Sequence, residues 1–499
     1  MTVALMLLSL SLPPVAAVVL FLARRWRRLH PLALMLGGVE VFALLALVLA
    51  NHLAGPVAMG RYWRIDAVSS FFLANIACVF ALALLYSRSW LEDHSVPAEE
   101  AGGTPSAGAT WASPGLFYAF VFLFVFTMVG VCLASNLGLM WIMMEGTTLS
   151  SALLVGFEQT EGAIEAGWKY LILCTVGIAF ALFGTIVFYL GAVKAGVPPA
   201  VALDWPTLHL FTGQLTTSGP LLRLAFVFLL VGFGTKVGLA PLHSWLPDAH
   251  AEAPAPISAL LSAILLSCAM YCLIRYDALM PASSGAFARH LLLIFGGASM
   301  LLAALVSVVQ HDLKRLFAYS SMEHMGLIAI GIGIGTPLAL YGALLHTLNH
   351  AVAKSLLFCS AGEVKRDCGT LRIGSIRGLL RGQPWTGGAL LAGSAAIVGL
   401  PPLALFVSEF AILAAAFASA HYLIGFVIIL ALAVVFAAFL RHLLPLLGGE
   451  PATDAAPVRF RRLSVAVFSM ATLALLVLGV HVPAALQQVI ERAVQVLRG

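Results

Sequence analysis

The stretch Gly232-Phe-Gly-Thr-Lys236-Val-Gly238-Leu-Ala-Pro241 stands inside an apolar run at residues 221–242. It places a lysine and a helix-breaking Gly…Pro pair where a plain membrane helix would be uniformly apolar. A spanning helix needs about 20 apolar residues, and its backbone polar groups must be satisfied within the protein. A charge and a break at that depth are costly, so together they mark a site rather than an anchor. A second stretch has the same design. Gly399-Leu-Pro-Pro402 interrupts the apolar run 387–417, and Glu409 follows in the same run. The two glycines lie 161 positions apart, 399 minus 238. Glycine and proline are common in membrane helices, so chance is the rival reading. Matched breaks beside buried charges favour an internal repeat with ion sites at the breaks.

The composition around these stretches agrees. Of 499 residues, 61% are hydrophobic and only 10% charged, against roughly 25% charged in ordinary globular domains. Mean hydropathy is +1.01. The 27 basic and 22 acidic residues cannot cover a water-soluble protein of this size. A soluble enzyme, a disordered chain and a fibrous protein are excluded. The expected fold class is an all-α polytopic membrane protein. The net charge of +5 carries no nucleic-acid signal, because the basic residues are scattered in short loops. The seven cysteines are mostly singletons in apolar runs without a CxxC, so they read as small core- or lipid-facing residues.

Fourteen apolar runs are long enough to span: 3–23, 31–53, 66–87, 115–135, 137–157, 166–192, 221–242, 256–275, 289–310, 316–335, 338–362, 387–417, 421–447 and 463–483. Spans seven and twelve hold the breaks. Spans four to eight and nine to thirteen are expected to form two inverted five-helix repeats. The expected divisions are 1–114 (three helices and a cytoplasmic linker), 115–275 (first repeat), 289–447 (second repeat) and 448–499 (a last helix and a short amphipathic tail).

The amino terminus has no basic residues before its apolar run, so it is not a cleavable signal. Arg24, Arg25, Arg27 and Arg28 follow that run and place the amino terminus outside by the positive-inside rule. With alternating spans, sixteen Lys/Arg fall inside and eight outside, Arg275 among the latter, and three of the 27 lie within spans. No loop reaches the size of a domain. Residues 92–113, rich in Gly, Ala, Ser and Pro, read as a flexible linker. Function must therefore lie within the membrane or with partners.

The ionisable residues within spans are the candidates: Glu145, Lys169, Lys236, Glu323, His324, His346, His350, Lys354 and Glu409. Glu145 and Lys236 have few polar neighbours along the chain, so a direct pairing of the two is expected. A lysine that gains and loses a partner switches between proton donor and acceptor. His346, His350 and Lys354 recur at i, i+4, i+8 and form one polar stripe. Such a stripe can line a proton path, histidine having an unperturbed pKa near 6.5. The rival is a purely structural network, with Lys169, Glu323 and His346 near helix ends, where they can snorkel.

Three motifs carry less. His243-Ser-Trp-Leu-Pro-Asp-Ala-His250-Ala-Glu252 has metal-ligand residue types, but Pro247, Pro254 and Pro256 disrupt helical spacing, so a structural loop near a proton inlet is expected. His346 and His350 share one face of one helix, unlike most membrane haem ligands. Gly331-Ile-Gly-Ile-Gly335 ends an apolar span with no strand before it and is not a nucleotide loop. No metal and no electron cofactor are expected in this chain.

Several motifs resemble a known family. Trp141-Ile-Met-Met-Glu145, Gly234-Thr-Lys236, His243-Ser-Trp-Leu-Pro-Asp-Ala-His250-Ala-Glu-Ala-Pro254 and His311-Asp-Leu-Lys-Arg-Leu-Phe-Ala-Tyr-Ser-Ser321 are similar to the antiporter-like subunits of respiratory complex I. That family includes the large subunits of Mrp-type antiporters and membrane subunits of group 4 nickel–iron hydrogenases. Met144-Glu-Gly-Thr-Thr-Leu-Ser-Ser151, Gly167-Trp-Lys-Tyr-Leu-Ile-Leu-Cys-Thr-Val-Gly-Ile-Ala179, Ser321-Met-Glu-His-Met-Gly326 and Gly399-Leu-Pro-Pro-Leu-Ala-Leu-Phe-Val-Ser-Glu-Phe410 look closest to the hydrogenase-4 component F group. The resemblance covers about residues 65–447.

It implies proton translocation driven by redox chemistry in partner subunits, with Glu145, Lys236, His324, His350, Lys354 and Glu409 at family positions. Any oxidoreductase label would then belong to the assembly rather than to this chain. Many complex I relatives carry a lysine or histidine in span eight, where this chain reads Leu265-Leu-Ser267. Either water bridges that step, or the path bends through Lys169, or coupling between the halves is weakened. Residues 484–499 allow only a short amphipathic helix at the outer surface, not the long lateral helix of the largest members. The resemblance leaves two other functional readings: a cation/proton antiporter subunit, and a proton-conducting partner of an inorganic-carbon uptake complex with a soluble zinc protein. Expected partners are further membrane subunits and nickel–iron hydrogenase-like peripheral subunits, in a bacterial cytoplasmic membrane.

Overall fold

The computed structural model describes residues 1–24, 29–94, 113–450 and 461–498. Arg25, Arg27, Arg28 and Arg459, and nearly all of the expected linker, lie outside the described residues.

The chain is a helical membrane bundle. It begins with α1 (Thr2–Leu22) and α2 (Leu29–Ala54), a small antiparallel hairpin of β1 (Val57–Met59) and β2 (Trp63–Ile65), and α3 (Ala67–His94). Then come α4 (Pro114–Leu133), α5 (Leu137–Val155) and α6 (Glu161–Lys194). Two short helices, α7 (Trp205–Leu210) and α8 (Thr212–Leu215), precede α9 (Gly219–Val237). After the first break follow α10 (Leu246–Glu252), α11 (Ala255–Leu260) and α12 (Leu266–Asp277), the last two joined by a π-helical turn at Leu261–Leu265. The second half holds α13 (Ala282–Val308), α14 (Leu313–Ile334), α15 (Pro337–Cys368), a short α16 (Leu379–Gly382), α17 (Pro384–Ile397), α18 (Ala404–Ala418) and α19 (Tyr422–Leu447). It closes with α20 (Arg462–Val480) and α21 (Ala484–Arg498).

Eleven helical segments among the described residues are long and apolar enough to cross a membrane. They coincide with eleven of the expected runs. The other three expected runs are α14, α15 and the pair α17–α18. The first two are long but carry the polar groups Glu323, His324, His346, His350 and Lys354, and the third is split by its break. Apolar side chains such as Leu7, Phe42, Ile172 and Leu423 are exposed on α1, α2, α6 and α19 and form the lipid-facing perimeter. Residues 255–276 are buried throughout, at the centre of the bundle.

The helix ends follow from local chemistry. Asn136 caps α5 by accepting from the Gly138 and Leu139 amides at 2.9 and 3.2 Å. Thr160, Asp312 and Thr336 cap α6, α14 and α15 in the same way. At the first break Gly238 ends α9 with φ of 79°, a left-handed conformation that glycine adopts freely. The Ala240 amide freed there donates to Ser299 Oγ at 2.8 Å, and the Thr235 carbonyl accepts from Trp245 Nε1 at 2.7 Å. Side chains thus satisfy backbone groups that the broken helix cannot. Gly399, φ 68°, repeats the left-handed turn after α17. At closest approach, α13 and α14 cross glycine to glycine: a Cβ on Gly326 would sit 2.7 Å from the Gly296 carbonyl oxygen.

Loops gather at two ends. At one, Ser135 N–H donates to the Tyr62 carbonyl at 2.8 Å, Trp205 N–H to Ser135, and Arg492 Nη1 to the His52 carbonyl at 2.6 Å. At the other, Lys365 pairs with Glu158 at 2.8 Å, Arg315 with Asp248 at 2.7 Å and Arg461 with Glu363 at 2.9 Å. The amphipathic α21 lies at the first end, with Ile490, Ala493, Val494 and Leu497 buried.

Two expectations need correction. The segment 243–252 is not wholly irregular: α10 forms with Pro247 at its start, where a missing amide costs nothing. Cys368 is exposed at the end of α15 rather than core-facing. Arg275, the last residue of the expected span eight, lies in the last turn of α12, buried and paired with Asp66.

Candidate functional site

The first cluster forms where α5, α6 and α9 meet, one turn before the first break. Lys236 is fully buried. Its Nζ donates to Thr148 Oγ1 at 2.7 Å and to Tyr170 Oη at 2.8 Å. The Thr148 hydroxyl in turn donates to Glu145 Oε2 at 3.3 Å. Glu145 Oε1 accepts from Thr175 Oγ1 at 3.0 Å, and Tyr170 shares a 2.7 Å bond with Ser151. The expected direct pairing of Glu145 with Lys236 is therefore overturned: Thr148 stands between them. The physical reason is reach along α5. Thr148 is one turn beyond Glu145 and faces α9, while the carboxylate turns toward α6. A hydroxyl that both accepts and donates can pass a proton by exchanging its own, which a direct ion pair does not need.

Lys169 does not join this cluster. Its side chain is 48% exposed and pairs with Glu165 at 2.6 Å and Asp248 at 3.4 Å. It stands at the loop end with Arg315, so a path from Lys236 through Lys169 has no support among the described contacts.

The second cluster forms between α14, α15 and α18. Glu323, His324, His346, His350 and Lys354 are all fully buried, and Glu409 is 6% exposed. The i, i+4, i+8 stripe turns inward as its spacing requires. His324 Nδ1 lies 3.0 Å from His346 Nε2, and His346 Nδ1 lies 3.0 Å from Ser408 Oγ. The His324 and His350 rings are 5.4 Å apart. Lys354 Nζ donates to the Phe317 carbonyl at 2.7 Å and to Ser320 Oγ. Glu323 Oε2 lies 4.0 Å from His324 Nε2. Both Glu323 oxygens, both His350 nitrogens and Glu409 Oε1 have no hydrogen-bond partner among the described residues. A buried polar group left unpaired costs about 1–3 kcal/mol, so such a concentration is not a stabilising network. It is a concentration of titratable groups held without protein hydrogen-bond partners among the described residues.

Glu409 lies against the second break. A Cβ on residue 399 would fall 2.1 Å from Glu409 Oε2, so the glycine makes room for the carboxylate. This is the parallel to Lys236 beside Gly238.

Between the clusters, Ser262 in the π-helical turn and Ser321 of α14 share a 2.8 Å bond. Ser267 donates back to the Ala263 carbonyl at 2.8 Å and points along its own helix. Ser262, five residues before the position singled out in the sequence, therefore makes the neutral side-chain contact with α14. His250 is also fully buried nearby, its Nδ1 2.8 Å from the Leu246 carbonyl and its Nε2 without a partner among the described residues.

Several polar residues escaped the sequence reading: Thr148, Tyr170, Ser262, Ser320 and Ser408. Hydroxyl side chains carry no membrane penalty large enough to stand out against an apolar run. Glu40 escaped too, although a carboxylate within α2 was a legible signal; it is fully buried and unpartnered among the described residues.

Removing the Thr148 hydroxyl with shape retained tests the bridge. Thr148→Val is expected to slow proton transfer about tenfold or more, the equivalent of roughly 1.4 kcal/mol on the barrier. Dye-detected proton uptake by proteoliposomes measures it. A wild-type rate would mean that Glu145 and Lys236 exchange protons without Thr148.

Comparison with known proteins places this geometry. The sequence profile described as NADH:quinone oxidoreductase/Mrp antiporter, TM, matches residues 134–437. A hydrogenase-4 component F homolog of Methylacidiphilum infernorum is 44% identical over 327 residues, 65% of this chain and 68% of the relative. An NADH-quinone oxidoreductase subunit N of Desulforudis audaxviator is 32% identical over 356 residues, 71% of this chain and 66% of the relative. A chain of the membrane-bound sulfane sulfur reductase, an archaeal respiratory membrane complex, superposes with a TM-score of 0.86 at 22% identity, covering 99% of this chain and 97% of that one.

Proposed function

We propose that this chain, which belongs to the NADH:quinone oxidoreductase/Mrp antiporter transmembrane family, is the proton-translocating membrane subunit of a redox-driven complex of hydrogenase-4 or NADH dehydrogenase type. The carrying observation is the row of buried titratable side chains: Lys236 at the first break, then Glu323, His324, His346, His350 and Lys354, then Glu409 at the second. Holding so many ionisable groups in a bilayer core is costly, and proton transfer is what they supply in return. Glu145, through Thr148, sets the charge on Lys236. The Ser262–Ser321 contact supports passage between the halves without a charged residue in the eighth span. Lys169, at the loop end with Glu165 and Asp248, gathers charge near the inlet rather than relaying it.

On this reading residues 115–275 and 289–447 are two inverted repeats. The left-handed glycines Gly238 and Gly399, each beside a buried charge, support it. The amino terminus faces outward across a bacterial cytoplasmic membrane, and protons enter near α10 and leave past Glu409. The partners are further membrane subunits and peripheral nickel–iron hydrogenase-like subunits, which hold the electron cofactors; the chain itself contributes proton groups and no redox centre.

A second reading is a cation/proton antiporter subunit, favoured by the family's antiporter members. A third is the proton-conducting partner of a zinc protein in inorganic-carbon uptake. Co-purification from mild detergent with mass spectrometry separates them. A hydrogenase-like large subunit with iron–sulfur proteins is the expected result. A soluble zinc protein without iron–sulfur partners would replace the redox reading with carbon uptake. Sodium-dependent transport by an isolated membrane complex would replace it with antiport.

A further inference from the structure

The geometry points to a transition-metal site at the second break, formed by His324, His346 and Glu409, which takes Zn²⁺ and blocks the relay when filled. One donor atom from each of the three side chains lies within 4.8 Å of the others, and all three side chains are buried.

Ser408 determines which histidine nitrogen is free. Its hydroxyl donates to the Leu405 carbonyl at 2.9 Å and accepts from Asn349 Nδ2 at 3.3 Å. Only an acceptor lone pair is left for His346 Nδ1, 3.0 Å away, so that nitrogen carries its hydrogen. His346 Nε2 then presents a lone pair, 3.0 Å from His324 Nδ1. Metal-ligating histidines are held in this way, with the far N–H engaged by a hydrogen bond that fixes ring and tautomer. Glu409 Oε1 is the second independent sign: a carboxylate oxygen that is buried without a partner among the described residues. Gly399 leaves the space in which that carboxylate turns.

Around Zn²⁺ with bonds of about 2.0–2.2 Å, tetrahedral ligand atoms sit roughly 3.3 Å apart. The two imidazoles already meet that spacing, and the carboxylate closes the remainder. The fourth position takes water. When His324 Nδ1 binds metal, its hydrogen moves to Nε2, on the side of Glu323 Oε2 at 4.0 Å, so no proton is unaccounted for. The metal then occupies the His324–His346 contact that protons would use. The blocking half of the proposal rests on the relay reading; the binding half does not.

The test uses the full chain purified in detergent, with zinc sulfate and cobalt chloride as probes. One equivalent of Zn²⁺ is expected to bind, with Co²⁺ showing the visible spectrum of a four-coordinate nitrogen/oxygen site. His346→Gln and Glu409→Gln are expected to lose it. Ser408→Ala, which keeps all three ligands but frees the His346 ring, is expected to weaken binding about 10–100-fold. His290→Gln, on the exposed surface, is expected to leave binding unchanged. Folding of each variant is checked by thermal unfolding. Unaltered binding in the first three variants, or a thiolate-type cobalt spectrum, would overturn the site. Normal binding in the wild type without inhibition of proton uptake would overturn the block alone.

Discussion

Lys236→Met is expected to lower proton uptake by reconstituted protein about 100-fold or more, the usual scale for losing a positioned proton-transfer group, while the protein folds and assembles normally. Methionine matches the length of the lysine stem but holds no proton. The surroundings tolerate the loss unusually well. Thr148 keeps Glu145 as acceptor, and Tyr170 keeps its 2.7 Å bond to Ser151, so neither former partner is orphaned. Lys236 makes no direct ion pair, and Glu145 keeps its bonds from Thr148 and Thr175, so removing the ammonium also removes its own desolvation cost. A thermal midpoint at or above the wild-type value, together with collapsed proton uptake, is therefore the signature of a relay. If assembly fails and the surviving protein pumps normally, Lys236 is a structural strut and the scaffold reading stands.

The second large effect is on stability. Arg275 of α12 and Asp66 before α3 form a two-pronged pair at 2.8 and 2.7 Å, nearly sealed from solvent. Ser69 Oγ accepts a third bond from the guanidinium at 3.0 Å, and the Trp205 and Tyr271 rings flank it. Asp66→Ala leaves that cation buried and uncompensated, which costs about 3–5 kcal/mol. Thermal unfolding in detergent should show a marked destabilisation. The double variant Asp66→Leu with Arg275→Met removes both charges and is expected to recover most of it. Wild-type stability in the single variant would show that water reaches the pair and that it contributes little. Neither residue belongs to the relay, so proton uptake per folded molecule is expected to stay near wild type.

These two predictions draw on different kinds of information. Lys236 was legible because a charge within an apolar run contradicts its surroundings, and the nearby Gly238 and Pro241 reinforced it. The stripe His346, His350 and Lys354 was legible because helical spacing alone aligns the three. Arg275 was legible as the last residue of span eight, but only packing shows it turned inward to Asp66. Glu145 was located correctly and paired wrongly, because one turn of helix decides which neighbour a side chain reaches. Lys169 looked like Lys236 along the chain, but α6 turns it toward Asp248 at the loop end instead of toward α9.

By itself, the sequence determined that this chain is a helical membrane protein, where its apolar runs and its two breaks fall, and which titratable residues lie within its spans. Those properties are local: they follow from the transfer cost of each side chain and from helical period. Only the tertiary structure decided that Thr148 bridges Glu145 to Lys236 and that Ser262 rather than Ser267 reaches α14. It alone decided that His324, His346 and Glu409 converge at Gly399. Hydrogen bonds between helices depend on rotation and depth to within about an ångström, and hydroxyl groups disturb hydropathy too little to reveal such contacts in advance.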